Sequence, residues 1–174
     1  MSTEDAGRAI GSALIDIKVQ QHLVHRLNHI QNHLSASSAE TAERMMLGQF
    51  ERFKCAFGTA AMNLVPKLRL QVPGLQPGSD FPAAGIINSS IEISQDIVKP
   101  IFDDQVENMI DLIEEQLQEF QKVRPGEQIS YLVLSGGLGS SPYVQSRLKN
   151  HFEAGQGSAI HNARRMRLIV AEEP

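Results

Sequence analysis

Residues 129–152 read ISYLVLSGGLGSSPYVQSRLKNHF, and the rest of the chain is best interpreted outward from them. Ile129–Leu134 is short, apolar and bounded by turn residues, which suits a buried strand. Gly136, Gly137 and Gly139 follow at once and permit positive φ and close backbone approach. Ser141 is placed to be an N-cap. Pro142 suits the first helical position, where its missing N–H has no partner to lose. Val144, Leu148 and Phe152 then recur at helical spacing. A strand that feeds a glycine-rich turn and a helix leaves unpaired N–H groups in a crevice, a geometry suited to a nucleotide or another polar ligand. Two common glycine motifs do not fit. No Lys followed by Ser or Thr comes after Gly139, as a phosphate loop requires, and Pro142 stands where the dinucleotide fingerprint needs its third glycine.

The chain has 174 residues and a formal net charge of −4. That length suits about one domain with a real core, and the charge argues against a nucleic-acid surface. Arg164, Arg165 and Arg167 form a basic cluster without interleaved aromatics and read as a solvated edge. A single cysteine, Cys55, allows no disulfide framework within the chain and fits a reducing compartment. No stretch is apolar enough to span a bilayer, and MSTEDAGRA lacks the order of a secretory signal. A cytoplasmic protein without membrane or nucleic-acid partners is the expectation.

Taken in order, residues 1–10 form a polar lead-in. Val19, Leu23, Leu27, Ile30 and Leu34 mark one apolar face of a long helix. Ser37 with Glu40 makes a capping box for a second helix starting near Ser38 or Ala39. That helix carries Met45, Met46, Leu47, Phe50, Phe53 and Phe57 as core and stops at Gly58. The two helices are expected to pack antiparallel. Lys67–Val72 alternates as a half-buried strand. Pro73-Gly74 and Pro77-Gly78 open a loop, to about Ala84, expected to be the least ordered region. Ser90–Ile93 suggests another short strand. Ser94 or Asp96 opens a helix that Pro100 should end or kink. Ile101, Val106, Met109, Ile110, Ile113 and Leu117 carry its stripe to about Phe120. Gly155 and Gly157 mark a loop, and Leu168–Val170 is a final strand.

With these landmarks in place, LVLSGGLGSSPYVQSRL resembles the adenosine-loop segment of the actin-like ATPases, and in particular the seventy-kilodalton heat-shock chaperones and their divergent, large-insert relatives. Gly11-Ser12 with Asp16 is similar to the segment after the family's second phosphate loop. Glu51-Arg52-Phe53-Lys54 is similar to its adenosine-clamping helix. Ile93-Ser94 through Asp103 is similar to the lead into its next helix. The resemblance runs from about Gly11 to about Pro174. It implies an α/β chain forming part of an actin-like, ribonuclease-H-like ATPase lobe. Residues 11–128 would be a helical and small β subdomain, and 129–174 the strand–loop–helix–strand of the core. It further implies ATP or ADP as ligand, with Mg²⁺. Glu51, Lys54, Gly136, Gly137, Leu138, Gly139 and Ser140 would bind the nucleotide, Glu51 taking a ribose hydroxyl and the Lys54 stem packing on adenine. By spacing alone, Glu51 and Lys54 form an ion pair on one helix face, worth roughly 0.3–0.5 kcal/mol if exposed.

Departures from the family pattern narrow these expectations. Ser140 stands where an Arg stacks on adenine, Leu138 where a small polar residue is usual, Cys55 where a second basic residue follows Lys54, and Gly58 replaces a hydroxyl. No Asp-rich first phosphate loop, catalytic Lys or second phosphate loop precedes Gly11, so the chain looks truncated at both ends and no catalytic residue is assigned. Phosphoryl transfer depends on positioning and charge stabilisation, so hydrolysis by this chain alone is not expected. A non-catalytic protein-interaction module, or a degenerate fragment that no longer binds nucleotide, is the alternative. A half domain would expose an apolar face to partners. A small α/β enzyme with an unfamiliar site stands third. His22, His25, His29 and His33 share one helix, the last three at metal-ligand spacing, but four converging ligands are wanted for a structural zinc site. No Gly-x-Ser-x-Gly elbow is present, and Cys55 reads as a core residue rather than a nucleophile.

Overall fold

A computed structural model describes residues 10–64, 67–153 and 166–171. The chain is mixed α/β, with a three-stranded antiparallel sheet and a two-stranded parallel one. Its contacts divide it into two compact units, a central unit of Ile15–Ile101 and a terminal unit of residues 1–14 with Phe102–Pro174. Residues 1–9 of the expected polar lead-in, the Gly155–Gly157 loop, and Arg164 and Arg165 lie outside the described residues.

The helix α1 runs over Ser12–Asn28 and buries Ile15 together with Val19, Leu23 and Leu27, the last three belonging to the stripe expected from periodicity. It ends earlier than that stripe suggested. Ile30 is buried beyond it, but Leu34 follows a separate turn of 3₁₀ helix over Gln31–His33. The helix α2, Ser38–Met46, starts where the capping signal put it, with Glu40 N–H donating to Ser37 Oγ at 3.1 Å.

The expected single helix to Gly58 is two. Gly48 adopts φ 74°, which only glycine takes readily, and α3 restarts at Gln49–Ala56. Met45, Phe50, Phe53 and Phe57 are core, while Leu47 is exposed. Cys55 faces solvent instead of the core, and Lys54 takes the buried position.

Strand β1 spans Lys67–Gln71, β2 Ile86–Ile87 and β3 Ser90–Ser94, in the order β1-β3-β2. Leu70, Ile86, Ile91 and Ile93 bury the inner face of this sheet. The stretch 73–84, expected to be poorly ordered, is instead tied down from α1. Arg26 donates from Nε to Ala84 O (2.9 Å), from Nη2 to Gly85 O (2.6 Å) and from Nη1 to Glu92 O (3.2 Å). Ser89, fully buried, donates its hydroxyl to Gln76 O (2.6 Å) and accepts from Ser79 N–H (3.1 Å). The turn between β2 and β3 places Asn88 and Ser89 at φ 51° and 58°, the primed geometry of a two-residue hairpin.

Helix α4 is continuous over Gln95–Val123, with Pro100 inside it. Of the two outcomes expected of Pro100, an end or a kink, the helix does not end there. Pro100 lies close enough to the helix start that only one or two bonds are at stake. In the terminal unit, β4 (Tyr131–Leu134) pairs in parallel with β5 (Arg167–Val170). A helical turn, α5 (Gly136–Gly139), and α6 (Pro142–Phe152) follow β4. Val144, Leu148 and Phe152 are the buried face of α6. Asp103 on α4 accepts from both Tyr143 and Arg147 of α6, and His151 meets Glu114 at 2.8 Å.

Candidate functional site

The glycine segment belongs to the terminal unit. Gly136 has φ 81°, so a side chain there would be strained. A Cβ on Gly139 would lie 3.1 Å from Leu134 Cβ, so this glycine lets α5 close onto β4. Leu138 is buried, and exposed Ser140 donates its hydroxyl to Gly137 O at 2.9 Å. Ser141 occupies the N-cap position of α6, as expected, but its side chain makes no cap bond. Its Oγ is buried with no partner among the described residues.

Gly137 has one close neighbour from afar. A Cβ built there would lie 3.5 Å from Ser12 Oγ. The start of α1 is anchored beside it, with Gly11 N–H donating to Oε1 of buried Gln105 at 3.2 Å. Gly11-Ser12 and the glycine turn are thus brought together within one unit. Gln105 had no signal in the sequence, because a buried amide in a helix stripe looks like any polar interruption.

Glu51 and Lys54 belong to the central unit. Lys54 Nζ donates to both Asp16 carboxylate oxygens at 2.9 Å and reaches Glu51 Oε2 at 2.8 Å. The ion pair expected from spacing is present, but it is not the exposed pair assumed above. Lys54 is only 7 % accessible, and Asp16 on α1 completes a group of three charges. Asp16 lies 38 residues from Lys54, beyond the reach of any local pattern.

Hydrogen bonding from Lys54 is the main cause that holds the Glu51 carboxyl below its ordinary pKa. For Lys54, burial alone would lower the pKa, but the hydrogen bonds and charges of Glu51 and Asp16 together outweigh it and the net shift is upward. Burial, and then the hydrogen bond to Glu51, push the Cys55 thiol up, so it is a poor nucleophile.

A cavity of about 310 Å³ adjoins this group, lined by Asp16, Gln20, Glu43, Gly48, Phe50 and Glu51 among others. It combines an aromatic wall with carboxylate and amide acceptors, and its size lies at the lower end of small-ligand sites. Its acidic lining suits neutral hydroxyls and amino groups better than phosphates. Lys54 does not line it, which differs from the role expected for that stem.

The four histidines expected to share one helix do not converge, since α1 carries only His22 and His25, and His33 lies in the 3₁₀ turn. His25 and His29 meet edge-on at 5.6 Å, His33 packs on Phe81 at 4.8 Å, and His22 Nε2 is buried with no hydrogen-bond partner among the described residues. Among the described residues no three His, Cys, Asp or Glu side chains are placed to hold a metal ion. No helix among them is long and apolar enough to cross a membrane.

A family model described as a domain of unknown function, DUF8340, matches residues 7–162. No curated protein and no solved structure matches the chain.

Proposed function

The chain belongs to the DUF8340 family, and from that premise we propose that it is the adenine-nucleotide-binding part of a chaperone-like ATPase, with an actin-like lobe as its fold. The observation that carries this reading is the approach of Ser12 to Gly137. Two segments that resemble separate nucleotide-binding landmarks, far apart in sequence, meet inside one compact unit. The element order supports it too, since a strand, glycine turn and helix lead into a parallel strand, the arrangement that leaves N–H groups free at a strand's carboxyl end. In the central unit, Glu51 lines a cavity of a size to take a nucleoside. Its depressed pKa keeps it an acceptor for a ribose hydroxyl. Lys54 serves by fixing Glu51 and not by stacking on the base.

Mg²⁺ and hydrolysis are outside this proposal. Binding is the whole activity assigned to the chain. Titration with a fluorescent adenine nucleotide tests it. Saturable binding in the micromolar to low-millimolar range, weakened by Gly137→Val, is expected. No binding at millimolar nucleotide by a chain shown to be folded would overturn the reading.

A second reading, a non-catalytic interaction module, draws on one observation. Tyr131, Val133 and Ile169 share one face of the β4–β5 sheet and are 56 %, 59 % and 43 % exposed. Parallel sheets ordinarily have both faces covered. Nucleotide-insensitive oligomers in sedimentation, lost on Val133→Lys, would favour this reading over the first.

A further inference from the structure

A second cavity, of about 340 Å³, lies in the central unit on the side of α3 that carries Arg52 and Phe53. Buried Phe53 and Met62, with half-buried Leu68 of β1, form its floor. Ala56 and Ala61 leave the space open, since a larger side chain at either place would fill it. Gln49, Arg52, Phe53 and Ala56 stand at successive helical steps along one face of α3, so a single helix presents both the polar mouth and part of the apolar wall.

Among the described residues, Arg52 is the only charged side chain lining the cavity. It is exposed and makes no side-chain hydrogen bond or ion pair among the described residues. Every other Arg of the central unit differs. Arg26 binds three carbonyls, Arg44 pairs with Glu40 and Arg69 with Glu92. A largely apolar pocket with one unengaged guanidinium at its mouth matches a ligand with an apolar body and one carboxylate, which Arg holds in a bidentate fork.

We propose that this cavity is a binding site for a small amphipathic carboxylate, a medium-chain fatty acid or aryl-alkanoate. At roughly 30 Å³ for each water-sized unit, the volume accommodates about eleven heavy atoms, the size of a saturated acid of about eight to ten carbons. Among the described residues the site shares no lining residue with the cavity beside Glu51, so this proposal stands or falls independently of nucleotide binding.

The test is a titration of the whole chain with sodium octanoate, followed by amide chemical shifts, with octan-1-ol as the neutral counterpart. Octanoate is expected to shift residues 49–62 with a Kd on the order of 0.1–1 mM, and octanol to bind about tenfold more weakly. Arg52→Gln, at an exposed position that leaves the core intact, should weaken octanoate about tenfold and leave octanol unchanged. Ala56→Leu should weaken both. Equal affinity for acid and alcohol, an Arg52→Gln variant with undiminished octanoate binding, or no shift at 10-fold above the expected Kd each overturn the proposal. Concentration-dependent shifts of the same residues without ligand would show the groove taken by a second copy of the chain, and also overturn it.

Discussion

Replacing Arg26 is the sharpest probe of how the central unit is held. Its guanidinium donates to three backbone carbonyls, at Ala84, Gly85 and Glu92. Burial lowers the Arg26 pKa, so part of the gain offsets desolvation. Ala84 is buried, whereas Gly85 and Glu92 are exposed and their carbonyls can turn to water. Arg26→Met should therefore cost about 1–3 kcal/mol for the one acceptor left unsatisfied. The two exposed bonds add about 0.5 kcal/mol each, for a total of about 2–4 kcal/mol. Native-state hydrogen exchange of the segment 79–93 reads this directly, as a loss of protection of about 30- to 1,000-fold at 1.4 kcal/mol per decade. Arg26→Lys should recover less than half, because a point charge cannot span three carbonyls. Gly85→Ala supplies an independent check. A Cβ there would lie 2.2 Å from Arg26 Nη2 and must displace the guanidinium. Combined with Arg26→Met it should then cost only the backbone strain at φ 61°, about 1 kcal/mol beyond the single variant. Protection of 79–93 unchanged within threefold in Arg26→Met would refute the account.

The group around Lys54 should respond unequally to loss of each sign of charge. Asp16→Asn with Glu51→Gln leaves a buried ammonium unpaired and should cost about 3 kcal/mol or more. Lys54→Met should cost less, about 1–2 kcal/mol after discounting for the exposure of both carboxylates; chemical denaturation that ranks them the other way contradicts the assignment. The pH signs follow from the shifts. Glu51, depressed when folded, contributes stability above its unfolded pKa of about 4.3 that is lost as pH falls through its folded value. Lys54, raised when folded, contributes stability below about 10.4 that is lost as pH rises through its folded value. His22 behaves oppositely to Lys54. Burial, and then Arg26 and His25, lower its pKa, so stability is full above about 6.5 and falls as pH drops below it. Melting curves from pH 7.5 to 5 should show that loss, and His22→Gln should flatten it. Asn88 and Ser89 share the same left-handed backbone, yet Asn88→Gly should be near neutral. Ser89→Gly should destabilise by about 1–2 kcal/mol, because the buried hydroxyl loses both its bond to Gln76 O and its bond from the Ser79 N–H, which keeps only Gln76 O as acceptor; equal melting temperatures for the two variants would count against this.

What could be read from the sequence alone was local. The stripe Val19, Leu23, Leu27, the cap at Ser37, the alternation in Lys67–Gln71 and the succession of strand, glycine turn and helix at 131–152 all involve neighbours within a turn or two. Backbone geometry ties such spacing directly to a face or a cap. The order of elements followed from those signals. Gly48 shows how narrow that reach is. One glycine at positive φ breaks a helix that the apolar spacing runs straight through, while Lys54, on the Phe50, Phe53 and Phe57 face of α3, is buried and Cys55 is exposed. The remainder was settled by contacts between segments distant in sequence. Asp16 holding Lys54, Arg26 holding Ala84 and Gly85, Gln105 holding Gly11, and Ser12 lying beside Gly137 are each matters of tertiary packing. The charge on a side chain says that it needs a partner. Only the packing of helices and strands, driven by burial of their apolar faces, decides which partner comes within 3 Å.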